Sequence, residues 1–318
     1  MNMINILAPV RNFETAVMQV DAGADEIYLG VDYGDFDIYS YSGRFRSMNH
    51  VQTQVNGVEE LKKISEYAKK NKVMVQLAAN MHYYPPQFEE GYIQFIKDCA
   101  PYIDQVIVSN VGMIRKLQKM NLGLNIAAGS FTFIPNSDMV KFLKELGVVR
   151  VVLPHATKIN EIAEIHSAVP DIELEIFSLI GGGNNCGRCM MFHSPLRDDI
   201  GPGCRAKYDV TYDGKLYSEV SYMDAAADCA LCSMLDLINA GAYSMKIVGR
   251  EMRNEVVASQ FTEMFVAYRK CIERGMSKND AKKYLSDNVF GWDILWVERF
   301  CKNGRCKFND TKVTKSYI

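Results

Sequence analysis

The sequence predicts an α/β fold, a (β/α)8 TIM-like barrel, regular or distorted, with a Cys-rich loop at its C-terminal mouth. Three observations predict it. Short apolar runs alternate with longer amphipathic ones, the pattern of parallel strands joined by crossover helices. About eight such units follow one another, which favours a closed barrel over an open sheet. The 318 residues, 48% apolar and 23% charged, suit one large domain with an ample core.

In chain order, strands are expected at residues 4–8, 26–29, 73–77, 105–108, 124–127, 149–153, 173–177 and 244–248. Each is an apolar run too short for a helix, bounded by polar or turn-forming residues. Helices are expected at 14–20, 58–70, 88–99, 111–120, 137–146 and 158–168, each ending near Gly, Asn or Pro, and at 254–274. Two insertions break the rhythm: a Tyr- and Gly-rich stretch at 31–55 and a Cys- and Gly-rich stretch at 178–232. Both follow strands, so a parallel barrel places them at the C-terminal mouth, where such folds carry their chemistry. Residues 1–275 are therefore read as the barrel, with the insertion 178–232 as its metal-binding part. Residues 276–318, which hold both tryptophans, are read as a helical and irregular cap.

With 36 basic against 38 acidic residues, the net charge of −2 gives no global field toward nucleic acid or an anionic membrane. The N-terminal run lacks a positive flank and breaks at Pro9 and Arg11, so a cytoplasmic chain without membrane insertion is expected. In that compartment nine cysteines stay reduced, and a cluster of them points to metal chemistry rather than disulfides.

Five thiols fall in one loop region: Cys186-Gly-Arg-Cys189, Gly203-Cys204-Arg205 and Cys229-Ala-Leu-Cys232. A C-x-x-C pair lets two thiolates meet on one centre, and nearby glycines let backbone amides approach cluster sulfurs. Four such ligands complete a [4Fe-4S] cluster or, alternatively, a tetrahedral zinc site. Buried hydrophobic cysteine is the competing account, and it suits Cys99 and Cys271 inside amphipathic helices. Cys301 and Cys306 lie on a charged tail and read more simply as surface residues than as a second site.

Leu7-Ala-Pro-Val-Arg-Asn-Phe-Glu14, Ala22-Gly-Ala-Asp-Glu-Ile-Tyr-Leu-Gly30, residues 136–152 and 173–177, Gly187-Arg-Cys189 and Lys246-Ile-Val-Gly-Arg250 together resemble the collagenase-like peptidases, the unassigned-peptidase family thirty-two. The resemblance runs from about residue 6 to 274. It implies a barrel and, as in several members, a cysteine-bound [4Fe-4S] cluster used in oxygen-independent hydroxylation of ubiquinone precursors, transfer RNA or ribosomal RNA. It further implies prephenate as an oxygen donor and, in some cases, a paralogous partner. Three departures stand out. Leu179-Ile-Gly-Gly-Gly183 replaces the family's His-Gly-Ala-Leu-Cys, Cys186 stands where the family often has Ser, and Val248 replaces the Glu of Lys-Ile-Glu-Gly-Arg. The expected ligand set is therefore Cys186, Cys189, Cys204 and Cys229, with Cys232 the alternative fourth.

Positions just after strands include Asn80, Ser109, Asn110, Ser130, His155, Lys246, Arg250 and Glu251. His155, Lys246 and Arg250 are the candidate catalytic residues. His155 is expected to act as base or donor near neutral pH, or else to satisfy backbone at a strand end. Arg44 and Arg46, joined by Asn80 and Ser130, are candidates for binding substrate, since guanidinium forks match carboxylate and phosphate. Tyr33, Tyr39, Tyr41 and Phe45 would stack a flat ring or seal the barrel rim. No nucleophile elbow, H-E-x-x-H helix or P-loop is present, and Cys189 with His193 is the sole nearby Cys–His pair. The leading expectation is an iron-sulfur-dependent, oxygen-independent hydroxylase or related modification enzyme acting on a small molecule, RNA or peptide. A peptidase and a non-catalytic metal-stabilised binding module are the alternatives.

Overall fold

The structure, a computed structural model, describes residues 3–34, 40–44, 46–48, 51–81, 84–179, 208–220, 228–250, 252 and 254–308. Its strands are β1 (Asn5–Pro9), β2 (Glu26–Leu29), β3 (Ser47–Met48), β4 (Val51–Gln52), β5 (Met74–Ala79), β6 (Gln105–Val108), β7 (Asn125–Ala128), β8 (Arg150–Val152), β9 (Glu173–Leu179), β10 (Tyr208–Tyr212), β11 (Lys215–Val220) and β12 (Ser244–Ile247). Eight of them close a parallel barrel in the order β1-β12-β9-β8-β7-β6-β5-β2. The other four make two antiparallel hairpins, β3 with β4 and β10 with β11, one in each insertion.

Helices α1 (Phe13–Asp21), α2 (Gly57–Lys70), α3 (Glu89–Cys99), α4 (Val111–Met120), α5 (Ser137–Glu145), α6 (Ile159–Ala168), α7 (Met234–Asn239) and α8 (Glu255–Glu273) connect or cover the strands. Asparagine starts several of them. The Asn12 side chain accepts from the Thr15 amide at 2.8 Å, and the Thr15 hydroxyl accepts from the Asn12 amide at 3.1 Å, a reciprocal cap that satisfies two end donors. Asn110, Asn136 and Asn254 accept from Met113, Met139 and Val257 in the same way, which is why the chain turns into a helix soon after the barrel strands.

The barrel interior is layered. Leu7, Tyr28, Ile107, Ala127 and Val152 form an inward apolar layer with Phe177 against it, while the larger core lies between strands and helices. Toward the N-terminal ends of the strands the filling becomes ionic. Arg150, fully buried, donates to Glu26 Oε2 and Oε1 at 2.6 and 2.9 Å and to Glu173 at 2.7 Å. Gln76 and Asn5 donate to the same Glu26 carboxylate, each at 2.8 Å. Each buried charge thus has an opposite partner and added hydrogen bonds, the condition under which burial is tolerated.

Beyond α8 the chain continues through α9 (Lys278–Asn288) and a wide helical stretch, Trp292–Cys301. Trp296 packs edge-on between Phe261 and Phe265 of α8 at 5.6 Å, so the tail's aromatics join the main core. Residues 305–307 then run beside Cys229. The Cys229 amide donates to Arg305 O at 3.0 Å and the Lys307 amide to Cys229 O at 3.1 Å. No helix among the described residues is long and apolar enough to cross a membrane.

Candidate active site

The floor of the mouth is the Tyr28 ring. β12 brings Lys246 over it, with Nζ 4.2 Å from the ring centroid, and the turn after β12 brings the Arg250 guanidinium to 5.6 Å from the same centroid. Both cations are buried, at 7% and 3% exposure, which strengthens their pull on any anion that enters. Burial lowers the Lys246 amine below its ordinary range, and Glu175, 2.7 Å away, opposes that effect. Gly30 makes room for the arrangement: a Cβ there would lie 1.9 Å from Gln54 Oε1 and 2.6 Å from an Arg250 nitrogen.

The insertion at 31–55 folds across one side. Val31 bridges Val55, Gln54 donates to Ser42 Oγ at 2.8 Å, and Arg46 pairs with Asp32 at 3.2 Å. Arg44 presents its carbonyl to the Ser40 amide at 3.2 Å. The structure therefore unites Lys246 and Arg250 over Tyr28 and gives Arg46 a partner within its own loop. Tyr41 stacks on Tyr92 at 5.1 Å and Tyr33 meets Phe95 at 5.3 Å, so these two seal the rim. Tyr39, Phe45 and Glu251 lie outside the described residues.

A polar strip occupies the next sector. Ser109 donates to Asn80 Oδ1, and Thr132 donates to Ser109 O at 3.2 Å. Gly129 is required there, because a Cβ would sit 1.9 Å from Asn80 Oδ1 and 2.4 Å from Ser109 Oγ. Ser130, half-buried, opens the turn Ser130–Thr132 that follows.

His155 and Phe177 form the third sector, their rings 6.0 Å apart. Burial first, and the Lys307 charge second, lower the His155 imidazole to about 3. It is neutral at physiological pH, able to donate from one nitrogen and accept at the other, but too weakly basic to be the expected base poised near neutrality. The folded state resists a proton that the unfolded chain takes up below the ordinary value of 6.5. Stability from this group is complete above that pH and is lost as the pH falls toward 3, at up to about 1.4 kcal/mol per unit. Urea unfolding at pH 7 and pH 5 should show a smaller acid loss for His155→Asn than for the parent; equal losses would refute the burial effect.

Lys307 is a mouth residue that sequence reasoning missed. Its buried Nζ donates to Phe177 O at 2.5 Å, and burial lowers the amine to about 7, with Asp228 opposing. Nothing in the charged tail around it signals that the chain returns to the barrel.

Of the expected metal ligands, Cys186, Cys189 and Cys204 lie outside the described residues. Cys229 does reach the mouth: it pairs with Leu179 at the end of β9. It is buried, and its Sγ accepts the Leu231 amide at 3.3 Å, the kind of amide–sulfur contact that cluster thiolates receive. Burial pushes its thiol well up in the absence of a metal charge. Cys232 is half-buried beside Tyr268. Among the described residues no three His, Cys, Asp or Glu side chains stand at metal-holding geometry. The donor chemistry of Cys229 fits a thiolate-bound metal, and the other three expected ligands lie outside the described residues.

Comparison with known proteins gives this site its context. The tRNA hydroxylation protein P of Haemophilus influenzae is 31% identical over 194 residues, covering 58% of this chain and 38% of that one. The tRNA hydroxylation protein P1 of Bacillus subtilis is 26% identical over 287 residues, covering 84% and 63%. A collagenase of Porphyromonas gingivalis is 25% identical over 170 residues, covering 53% and 37%. The chain thus spans less than two thirds of the length of each of these relatives. The profile of peptidase family U32 matches residues 11–291, nearly the whole described barrel and α9, and the chain belongs to that family.

Proposed function

We propose that this chain is an iron-sulfur-dependent, oxygen-independent hydroxylase of an RNA base. The observation that carries the proposal is the pair of buried cations, Lys246 and Arg250, stacked over Tyr28 at the barrel mouth into which Cys229 is also delivered. Two cations in a low-dielectric pocket suit a small carboxylate donor such as prephenate, and the Tyr28 face suits its ring or the base. The likeness to tRNA hydroxylation proteins supports the RNA substrate.

In this reading Cys186, Cys189 and Cys204 hold a [4Fe-4S] cluster, with Cys229 or alternatively Cys232 as the fourth ligand. The bound cluster would supply Lewis-acid or one-electron chemistry. The chain's own residues do the rest. Arg250 and Lys246 hold the donor's carboxylates, Glu175 fixes the Lys246 amine, and the neutral His155 hydrogen-bonds without taking charge. The Asn80–Ser109 strip offers polar contacts to the base.

The test is anaerobic purification with iron, sulfide and zinc measured per chain, followed by mass spectrometry of RNA incubated with protein and prephenate. Iron and sulfide sufficient for one cubane, and a hydroxylated nucleoside that disappears in the Cys186→Ala/Cys189→Ala/Cys204→Ala variant, are expected. The likeness to a collagenase favours a second reading, peptide hydrolysis. Peptide cleavage undiminished in that triple variant, with no RNA product, would establish it instead.

A further inference from the structure

The side chain of Gln54 is 1% exposed and ends in an oxygen that has nothing to accept. Its Nε2 donates to Ser42 Oγ at 2.8 Å and to Thr53 Oγ1 at 3.2 Å, whereas among the described residues Oε1 has no hydrogen-bond partner. A buried acceptor left unmade costs folding free energy, so such an atom calls for a reason. The backbone around it is tied down: the Thr53 amide donates to Arg46 O and the Val55 amide to Gly30 O, each at 2.8 Å. Where the oxygen lies supplies the reason. Tyr28 and Gly30 are two residues apart on extended chain, so they face the same side, and Tyr28 belongs to the inward layer of the barrel. A Cβ on Gly30 would lie 1.9 Å from Gln54 Oε1 and 2.6 Å from Arg250 Nη1. The unmatched acceptor and the guanidinium therefore flank one point inside the mouth, beside the ring that carries Lys246. The guanidinium also fixes which end of the amide faces it, because an NH2 group there would set donor against donor.

We propose that Gln54 is a specificity-determining residue of this site, whose carbonyl accepts a hydrogen bond from a hydroxyl carried by the carboxylate that Arg250 and Lys246 hold. The ligand class is thus a small hydroxycarboxylate. A carboxylate without a hydroxyl brings only oxygen lone pairs toward Oε1 and leaves that acceptor buried and unpaired. A hydroxycarboxylate gives its anion to the cations and its O–H to the carbonyl at once. Sites built around a hydrogen bond to a substrate hydroxyl reject the analogue lacking it far more strongly than an apolar pocket rejects a missing methylene. The two bonds from Nε2 to Ser42 and Thr53 keep Oε1 from turning away, so the preference is set before the ligand arrives. The insertion at 31–55 then serves as a recognition element as well as a wall of the mouth.

The assignment deepens the hydroxylase reading and rests on its placement of a carboxylate at Arg250 and Lys246. Calorimetry on the anaerobically purified full chain tests it with malate and prephenate, which carry a hydroxyl, and with succinate, which is malate without one. The parent should bind malate about 10- to 100-fold more tightly than succinate, the factor that one buried hydrogen bond supplies. That comparison needs no variant. Gln54→Met, an apolar side chain of similar length, should weaken malate and prephenate by the same factor and leave succinate unchanged. Ser42→Ala, which removes a partner of Nε2 but keeps the carbonyl, should retain the preference and so separates recognition from a loosened loop. Malate and succinate binding alike to the parent, binding of neither, or a parent-like preference in Gln54→Met would overturn the proposal. In turnover, Gln54→Met should raise KM for the carboxylate donor and leave KM for RNA unchanged. A rise confined to KM for RNA would assign the acceptor to a base N–H and overturn the proposal as well. A malate preference that is lost in Gln54→Met, in a protein that yields no hydroxylated RNA, would count against the hydroxylase reading alone.

Discussion

Arg150→Met is expected to destabilise the protein by roughly 3–5 kcal/mol, because it strands the Glu26 carboxylate inside the barrel. Glu26 and Glu175 are 1% and 0% exposed, and Arg150 reaches them at 2.6 and 3.4 Å. Without the guanidinium, Lys246 still pairs with Glu175, but Glu26 keeps only the neutral donors Asn5, Gln76 and Ser244. The loss should therefore reside mainly in Glu26. Adding Glu26→Gln to Arg150→Met should recover a large part of it, since removing both members of a buried pair is far milder than removing one. Urea unfolding of the parent, both single variants and the double variant closes the cycle. A single-variant loss below about 1 kcal/mol, typical of a surface pair, would mean that water reaches the network.

The second large effect concerns Arg250. In the reading proposed above, Arg250→Ala should lower kcat/KM for the carboxylate donor by roughly 100- to 1000-fold, the usual cost of removing one buried donor aimed at developing charge. Arg250→Lys should not restore it, because an ammonium cannot make the planar, bidentate contact or lie flat over Tyr28. Steady-state kinetics with donor varied, together with donor binding by calorimetry, would show the loss. Unchanged donor binding and turnover in Arg250→Ala would remove this residue from the site.

How much of this was legible beforehand depends on the distance over which a signal acts. Strands such as Glu26–Leu29 and Gln105–Val108 were readable to the residue, because a short apolar run between polar or turn-forming residues is a local signal. β9 runs two residues further than expected, to Leu179, because Ser178 looks like the start of a loop until its hydroxyl is seen donating to Lys246 O. Helix α7 was missed behind the cysteine-rich stretch, and hairpin β10–β11 was hidden within it. Lys246 and Arg250 could be chosen as mouth residues because each sits at or just after a strand.

The ionic filling of the barrel was not legible. Glu26, Arg150 and Glu175 each look like an ordinary polar position in a strand, and only closure of the sheet turns all three inward to one another. The same holds for Cys306 and Lys307. Their partners, Cys229 and Phe177, lie far back in the chain, and a single sequence carries no mark of that pairing.

That long separation also sets an order of events during synthesis. The last barrel strand ends at Ile247, whereas the segment that pairs with Cys229 begins at Arg305. At translation rates of about 5–20 residues per second, on the order of 3–12 s pass between the emergence of the two. A nascent barrel therefore presents Cys229 to its surroundings for seconds before the tail can cover it. The partner that buries Cys229 is therefore among the last described parts of the chain to leave the ribosome.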